Sequence, residues 1–288
     1  MQNASLMDKL KAYCFYILPH HFLSRILFRL TRIESPVAHY FIRWFIRHFN
    51  VTMSEAAKEH VEDYPSFNAF FTRTLKENVR AFPQTNDVIA CPVDGVISQI
   101  GRIEQGRIFQ AKGHAYSVLE LLGGREQLAN LFDGGKFATL YLSPRDYHRI
   151  HMPLSGTLKQ MIYVPGRLFS VSPSTTRAVP RLFARNERVA AVFDGDSGTF
   201  ALVLVGAMNV AAIETVWHGL ITPPHRRQIG EYFYADKPLN LRIGQEMGRF
   251  NMGSTVIMLT PANVQWLPEL TAESPIKLGQ PLGSLAMN

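Results

Sequence analysis

The chain changes texture near residue 88, and this change constrains its fold more than any other feature. Beyond it, short β-rich runs alternate with turn signals: Val96–Ile100, Phe137–Leu142, Val189–Phe193, Ala201–Val205 and Thr255–Leu259, with turns at Asp133-Gly134-Gly135 and Asp194-Gly195. Runs this short, rich in β-branched and aromatic residues and closed by Gly and Asp, pair with neighbours through tight turns. A largely antiparallel β structure is therefore expected. The longest apolar run, Phe200 to Ile213, is broken by Asn209 and closed by Glu214, and it reads as a buried strand pair. No stretch reaches the roughly 18 apolar residues that a spanning helix needs.

Ahead of residue 88 the periodicity is helical. Phe22, Leu23, Ile26, Leu27, Leu30 and Ile33 recur at helical spacing, with Arg25, Arg29 and Arg32 on the opposite side. A second helix is expected after Ser35-Pro36, a cap and first-position pair, with Tyr40, Phe41, Trp44, Phe45 and Phe49 set against Arg43 and Arg47. Pro65-Ser66-Phe67 opens a further helix, and Pro83 to Asp87 forms a loop. The expected class is α+β: N-terminal amphipathic helices over residues 1–80, on a largely antiparallel β domain with inserted short helices over residues 81–288. At 288 residues and 47% hydrophobic, the chain can bury a full core.

Charge is concentrated in the helical part. Residues 1–50 hold Lys9, Lys11, Arg25, Arg29, Arg32, Arg43 and Arg47 against Asp8 and Glu34, most of the net +7. Two readings of these basic, aromatic-rich helices stand side by side. They lie on an anionic membrane, or they form a packed pair with a solvated basic face. No recognised motif supports a nucleic-acid partner. Pro19 and His20-His21 end the first apolar stretch too early for a signal peptide. Cys14 and Cys91 are too few for a disulfide framework and lack zinc-type spacing, so a reducing cytoplasmic compartment is expected.

Three segments offer chemistry. Ser143-Pro144-Arg145-Asp146 looks like a helix start, and a helical turn through Tyr147-His148 would break at Met152-Pro153. That junction would turn His148 and His151 into one pocket. A surface turn or half of a metal site are the alternatives, but no Cys, Asp or Glu cluster completes a metal site, so none is expected. Asp94, in an Asp-Gly turn between Val93 and Val96, is either a plain turn residue or a carboxylate that orients an imidazole. Gly253-Ser254 stands before the β-branched run Thr255-Val256-Ile257. Two further serines invite comparison. Gly195-Asp196-Ser197-Gly198 is better explained as a hairpin turn than as a protease nucleophile loop, and Leu282-Gly283-Ser284-Leu285 as part of a frayed tail.

Taken in order, these segments resemble the phosphatidylserine decarboxylase proenzymes, especially the bacterial, membrane-associated ones. The likeness extends through Phe67-Asn68-Ala69-Phe70-Phe71-Thr72-Arg73, Ala111-Lys112-Gly113-His114, Tyr163-Val164-Pro165-Gly166, Leu182-Phe183-Ala184-Arg185-Asn186-Glu187-Arg188 and Gly244-Gln245-Glu246-Met247-Gly248-Arg249-Phe250. It covers nearly the whole chain. The family's usual Leu-Gly-Ser-Thr is Met252-Gly253-Ser254-Thr255 here, a volume-conserving change that should leave cleavage intact.

The resemblance implies that Asp94, His151 and Ser254 cut the chain between Gly253 and Ser254, with His151 as base and Asp94 orienting it. Ser254 would become a pyruvoyl group, the sole cofactor, whose ketone forms a Schiff base with phosphatidylserine and accepts the electrons left when carbon dioxide departs. His148 is the proton donor implied, and Ser170 a weaker candidate for contacting the headgroup. Further implied are a heterodimer of the two cleavage products, an anionic membrane surface met by residues 1–50, and a peripheral position on the cytoplasmic face of the cell membrane. A lipid-binding module without chemistry and a self-cleaving serine peptidase are the rival readings.

Overall fold

The computed structural model describes residues 5–85, 87–111, 113–208, 212–251 and 254–286, with the side chains of 9–12 and 14 left aside. The fold is α+β, as expected, and every strand pairing among the described ladders is antiparallel. The main sheet runs in the order Gly230–Phe233, Gly156–Val164, Arg188–Gly195, Gly198–Val205, Thr255–Thr260, Lys136–Tyr141, Gly95–Arg102 and Pro275–Ile276, with Leu239–Leu241 also pairing with Gly156–Val164. All five strands expected from sequence are in it. The central strand Thr255–Thr260 is buried at every position, because both of its sheet faces are covered and its Val, Ile, Met and Leu side chains enter the core.

The expected hairpin at Asp196-Ser197 is present: Gly195 pairs with Gly198 and closes a two-residue loop. The apolar run from Phe200 divides between Gly198–Val205 and Ile213–Thr215, which belong to different sheets; Asn209 lies outside the described residues. The frayed-tail expectation is overturned. Pro281–Leu285 is the middle strand of a three-stranded sheet between Val88–Ala90 and Val264–Trp266, with Leu282 fully buried. Gly283 is required there, since a Cβ would come within 2.4 Å of the Gln265 carbonyl oxygen.

Four helices lead the chain: α1 (Leu6–Ile17), α2 (His20–Leu30), α3 (Pro36–Phe49) and α4 (Phe67–Phe71). α1, which the sequence reading did not anticipate, opens on a capping box between Ser5 and Asp8. Ser35 and Ser66 cap α3 and α4 as expected, accepting hydrogen bonds from the backbone N–H of Val37 and Ala69. Ile42 and Phe45 join Val51, Tyr64, Phe67, Phe70 and Phe71 in a small core separate from that of the sheet.

α2 is turned against the usual rule. It buries His20 and Ser24, while Phe22, Ile26 and Leu30 are exposed. A soluble amphipathic helix buries its apolar stripe. α1 and α3 add Leu6, Ile17, Tyr40 and Trp44 to the exposed apolar surface. No helix among the described residues is long and apolar enough to cross a membrane.

Candidate active site

Strand register brings the three chemical segments together. Val96, Tyr141 and Thr255 form one row across adjacent strands, and Val205 continues it on the other side of Thr255. Asp94, the loop after Tyr141, Ser254 and the loop after Val205 therefore leave the same end of the sheet. Gly95 permits the close approach: a Cβ there would lie 2.2 Å from the Tyr141 carbonyl oxygen.

Ser254 leads into the central strand, its carbonyl accepting a hydrogen bond from Leu142 N at 2.9 Å. It is fully buried, and its Oγ has no hydrogen-bond partner among the described residues. Such an orphaned hydroxyl costs roughly 1–3 kcal/mol, a price more usual at functional positions than in inert cores. Gly253 and Met252, the other half of the expected cleavage site, lie outside the described residues.

The expected helical turn after Ser143 is absent. The Asp146 carboxylate instead accepts hydrogen bonds from both the backbone N–H and the Oγ of Ser143, each at 2.7 Å, and the chain turns directly into the strand Arg149–His151. The capping residues close a β-turn here because the backbone extends straight after it. The two histidines consequently enter different surroundings rather than one pocket.

His148 is 1% exposed, and its ring packs over Phe71 with centroids 4.1 Å apart. Its Nδ1 donates to the Asp146 carbonyl at 2.7 Å, leaving a lone pair on a buried Nε2 that has no partner among the described residues. Burial first, and then the nearby Arg73 guanidinium, push its pKa down to about 3, so the ring is neutral. The backbone ties it to the nucleophile's segment, since Phe250 N donates to the His148 carbonyl at 3.0 Å and Leu142 N to that of Ser254. Two hydrogen bonds, Leu142 to Ser254 and Phe250 to His148, thus clamp these segments together, and Ser254 and His148 each carry a buried, unpartnered polar atom.

His151 is fully committed. Nδ1 donates to the Gly244 carbonyl at 2.7 Å, and Nε2 accepts from the Tyr147 hydroxyl at 3.0 Å. Burial lowers its pKa, opposed by the Gly244 carbonyl and by the charges of Glu246 and Asp94. Its backbone N–H donates to the Pro92 carbonyl, which draws the Asp94 turn alongside.

Asp94 makes no hydrogen bond to His151. Its carboxylate accepts from Arg80 Nη2 at 2.6 Å and Nε at 3.2 Å, and from Leu278 N at 2.7 Å, with Lys277 Nζ 3.7 Å away. Arg80 also binds Glu55 at 2.7 Å. Sequence reading missed Arg80 altogether, and it singled out neither Arg73 nor Tyr147. The last two stand inside quoted segments, whereas nothing near Arg80 in the chain points to Asp94.

Ser170 lines a cavity of about 220 Å³ with Phe45, Phe49, Phe71, Leu142 and Pro144. Leu142 connects it to Ser254 and Phe71 to His148. A second cavity of about 430 Å³ shares Tyr141 and Val171 with it. The buried Asn186 side chain holds Phe169 beside Ser170 by bonds to both its N–H and its carbonyl.

A sequence profile described as "Phosphatidylserine decarboxylase" matches residues 67–284, and a second, described as "PSD", matches residues 10–50. The chain is 53% identical over 287 residues to a phosphatidylserine decarboxylase proenzyme of Stutzerimonas stutzeri, covering 98% of this chain and 96% of that one. It is 58% identical over 259 residues to one of Alkalilimnicola ehrlichii, covering 89% and 90%, and 53% identical over 272 residues to one of Bordetella pertussis, covering 93% and 91%.

Proposed function

The chain belongs to the phosphatidylserine decarboxylase family, and on that premise we propose how its own residues carry out maturation and turnover. It is a decarboxylase of phosphatidylserine, made as a proenzyme that cleaves itself. The observation that carries the residue-level reading is the fully buried Ser254, with an unpartnered Oγ at the sheet end where all three motifs meet.

In maturation, Ser254 Oγ attacks the carbonyl carbon of Gly253, and the C–N bond breaks as the amide becomes an ester. A base then removes the Ser254 α-proton and the Gly253 carboxylate leaves. The resulting dehydroalanine takes up water and releases ammonia, which leaves a pyruvoyl group at position 254. The chemistry of the donor set fits that group: the pocket is dry, and Ser254 Oγ, which departs in the Gly253 carboxylate, breaks no hydrogen bond to a described residue as it leaves. A pyruvoyl ketone supplies an electron sink for the bond to the departing carboxylate.

The base is His151 in the assignment implied by the family, with Asp94 acting on it through its charge. His151 Nε2 is then released when the Tyr147 hydroxyl turns away. A second reading is favoured by one specific observation, the free Nε2 of His148 in the clamp that also holds Ser254. In turnover His148 has the proton-carrying role. Its lone pair takes the proton that the substrate's ammonium gives up, and returns it to the carbon that loses carbon dioxide.

The cavity lined by Ser170 takes the headgroup and the adjoining larger cavity extends it. The exposed apolar faces of α1–α3, flanked by Arg25 and Arg29, rest on an anionic membrane and bring the site to its lipid. The two cleavage products stay together as a heterodimer, because the central strand from Thr255 is hydrogen-bonded on both sides by strands of the larger product. A peripheral position on the cytoplasmic face of the cell membrane accords with the free, buried Cys91 thiol.

Intact-mass measurement tests the reading. Active protein should consist of residues 1–253 and a chain beginning at 254 with a carbonyl in place of the serine amine. Active protein found as a single 32.6 kDa chain would refute it.

A further inference from the structure

A cluster unrelated to the decarboxylation chemistry joins α2 to the sheet. His21 of α2, Glu187 at the head of the strand Arg188–Gly195, and His225 each offer a ligand atom within 4.8 Å of the other two. The imidazole rings of His21 and His225 lie 4.3 Å apart between centroids. His21 Nε2 donates to the Gly166 carbonyl at 2.9 Å, and His225 Nδ1 donates to the Glu187 carboxylate at 2.8 Å. Both bonds leave a lone pair on the opposite ring nitrogen. His21 Nδ1 and His225 Nε2 are each buried and without a partner among the described residues.

Two unpaired ring nitrogens beside a carboxylate that is 2% exposed make the pocket electron-rich and dry. A backbone carbonyl on Nε2 is a usual support of an imidazole that ligates through Nδ1, as His21 would; at His225 the ion would take the place of the Nδ1 proton that now bridges to Glu187. Tyr163 holds Glu187 from behind, its hydroxyl donating at 2.5 Å. The nitrogen and carboxylate donor set, without thiolate, suits a zinc-class divalent ion. Tetrahedral ligands at zinc stand about 3.4 Å apart, so His225 and Glu187, now 2.8 Å apart, would open slightly while the longest spacing, up to 4.8 Å, closes by roughly an ångström.

We propose that His21, Glu187 and His225 bind a zinc-class divalent metal ion that staples the outward-facing helix α2 to the β core. The staple also bears on the wall of the Ser170 cavity. His21 holds Gly166, and the neighbouring His20 Nδ1 accepts from Leu168 N at 3.2 Å, so the segment leading to Ser170 is fastened to α2 beside the metal. Spacing along the chain conceals the site, because its three residues come from distant segments.

The test uses the full-length protein, stripped with EDTA and titrated with zinc chloride against a chromophoric chelator, with cobalt substitution reporting the coordination. We expect one ion per chain, a tetrahedral-type cobalt spectrum, and binding at least tenfold weaker in His21→Ala and in His225→Gln. His60→Ala, which alters an exposed histidine elsewhere, should bind as the parent does. Thermal melts in EDTA establish that the variants are folded; if one is not, the other is read alone. Absence of stoichiometric binding, or binding unchanged in the folded variant, overturns the proposal. Because the readout is binding, the result is independent of decarboxylation.

Discussion

Replacing Arg80 with Met should strand Asp94. The pair is almost dry: the side chains are 9% and 5% exposed, and Arg80 supplies two of the three hydrogen bonds that the carboxylate accepts. Removing one partner of a buried pair typically costs about 3–5 kcal/mol, because the other charge stays in a poor dielectric. Here Leu278 N remains and Lys277 stands 3.7 Å away, so the lower end, about 3 kcal/mol, is expected. At roughly 2–4 °C per kcal/mol for a chain of about this size, the melting point should fall by about 6–12 °C. The measurement belongs in a Ser254→Ala background, where the chain stays in one piece. Adding Asp94→Asn to Arg80→Met removes the stranded charge and should recover at least half of the loss. If Arg80→Met shifts the melting point by less than about 2 °C, or if the two losses simply add, Asp94 does not depend on Arg80 and the argument fails.

Gel analysis of cleavage and release of carbon dioxide should separate the histidines. His151→Ala is expected to accumulate uncut chain, while His148→Ala cuts but turns over about 10²–10⁴-fold less lipid; the reverse pattern makes His148 the maturation base. Vesicle flotation checks the helical surface: Phe22→Ser, Leu30→Ser and Trp44→Ser together should weaken binding to anionic vesicles at least tenfold without changing the melting point, since all three side chains are exposed. Unchanged binding would mean that the face does not meet lipid. Acid should expose the buried state of His148, whose folded pKa, about 3, lies below its ordinary 6.5. The unfolded chain therefore binds the proton first. Stability from this group is complete above pH 6.5 and falls by about 1.4 kcal/mol per pH unit on acidification toward pH 3. Unfolding free energies from urea titrations of Ser254→Ala with and without His148→Gln, between pH 6.5 and 4.5, should diverge with that slope; parallel curves would refute it.

Local signals carried the elements. Alternation, β-branched runs and Asp-Gly turns located five strands and the Asp196-Ser197 hairpin, because these depend on neighbours within a few residues. Ser35 and Ser66 likewise marked their helices through bonds to backbone only two or three residues away. The same local logic misread Ser143, where identical capping chemistry closes a β-turn, and the C-terminal Gly283-Ser284, whose strand is defined by partners elsewhere in the chain. Helical spacing identified the apolar stripe of α2. It did not reveal that the stripe faces outward, since periodicity gives the faces of a helix and not which one is covered.

The sequence by itself determined the family, the Gly-Ser dipeptide ahead of a β-branched strand, and the Asp and His residues that accompany it, because motif order and spacing are properties of the chain. Only the tertiary structure decided which groups meet. Strand register set Asp94, the loop after Tyr141 and Ser254 at one end of the sheet, burial made His148 neutral, and Arg80 rather than an imidazole took the Asp94 carboxylate. Hydrogen bonds and desolvation act across a few ångströms of space whatever the distance along the chain, so the partners that set the charge and freedom of each side chain are fixed when the sheets pack.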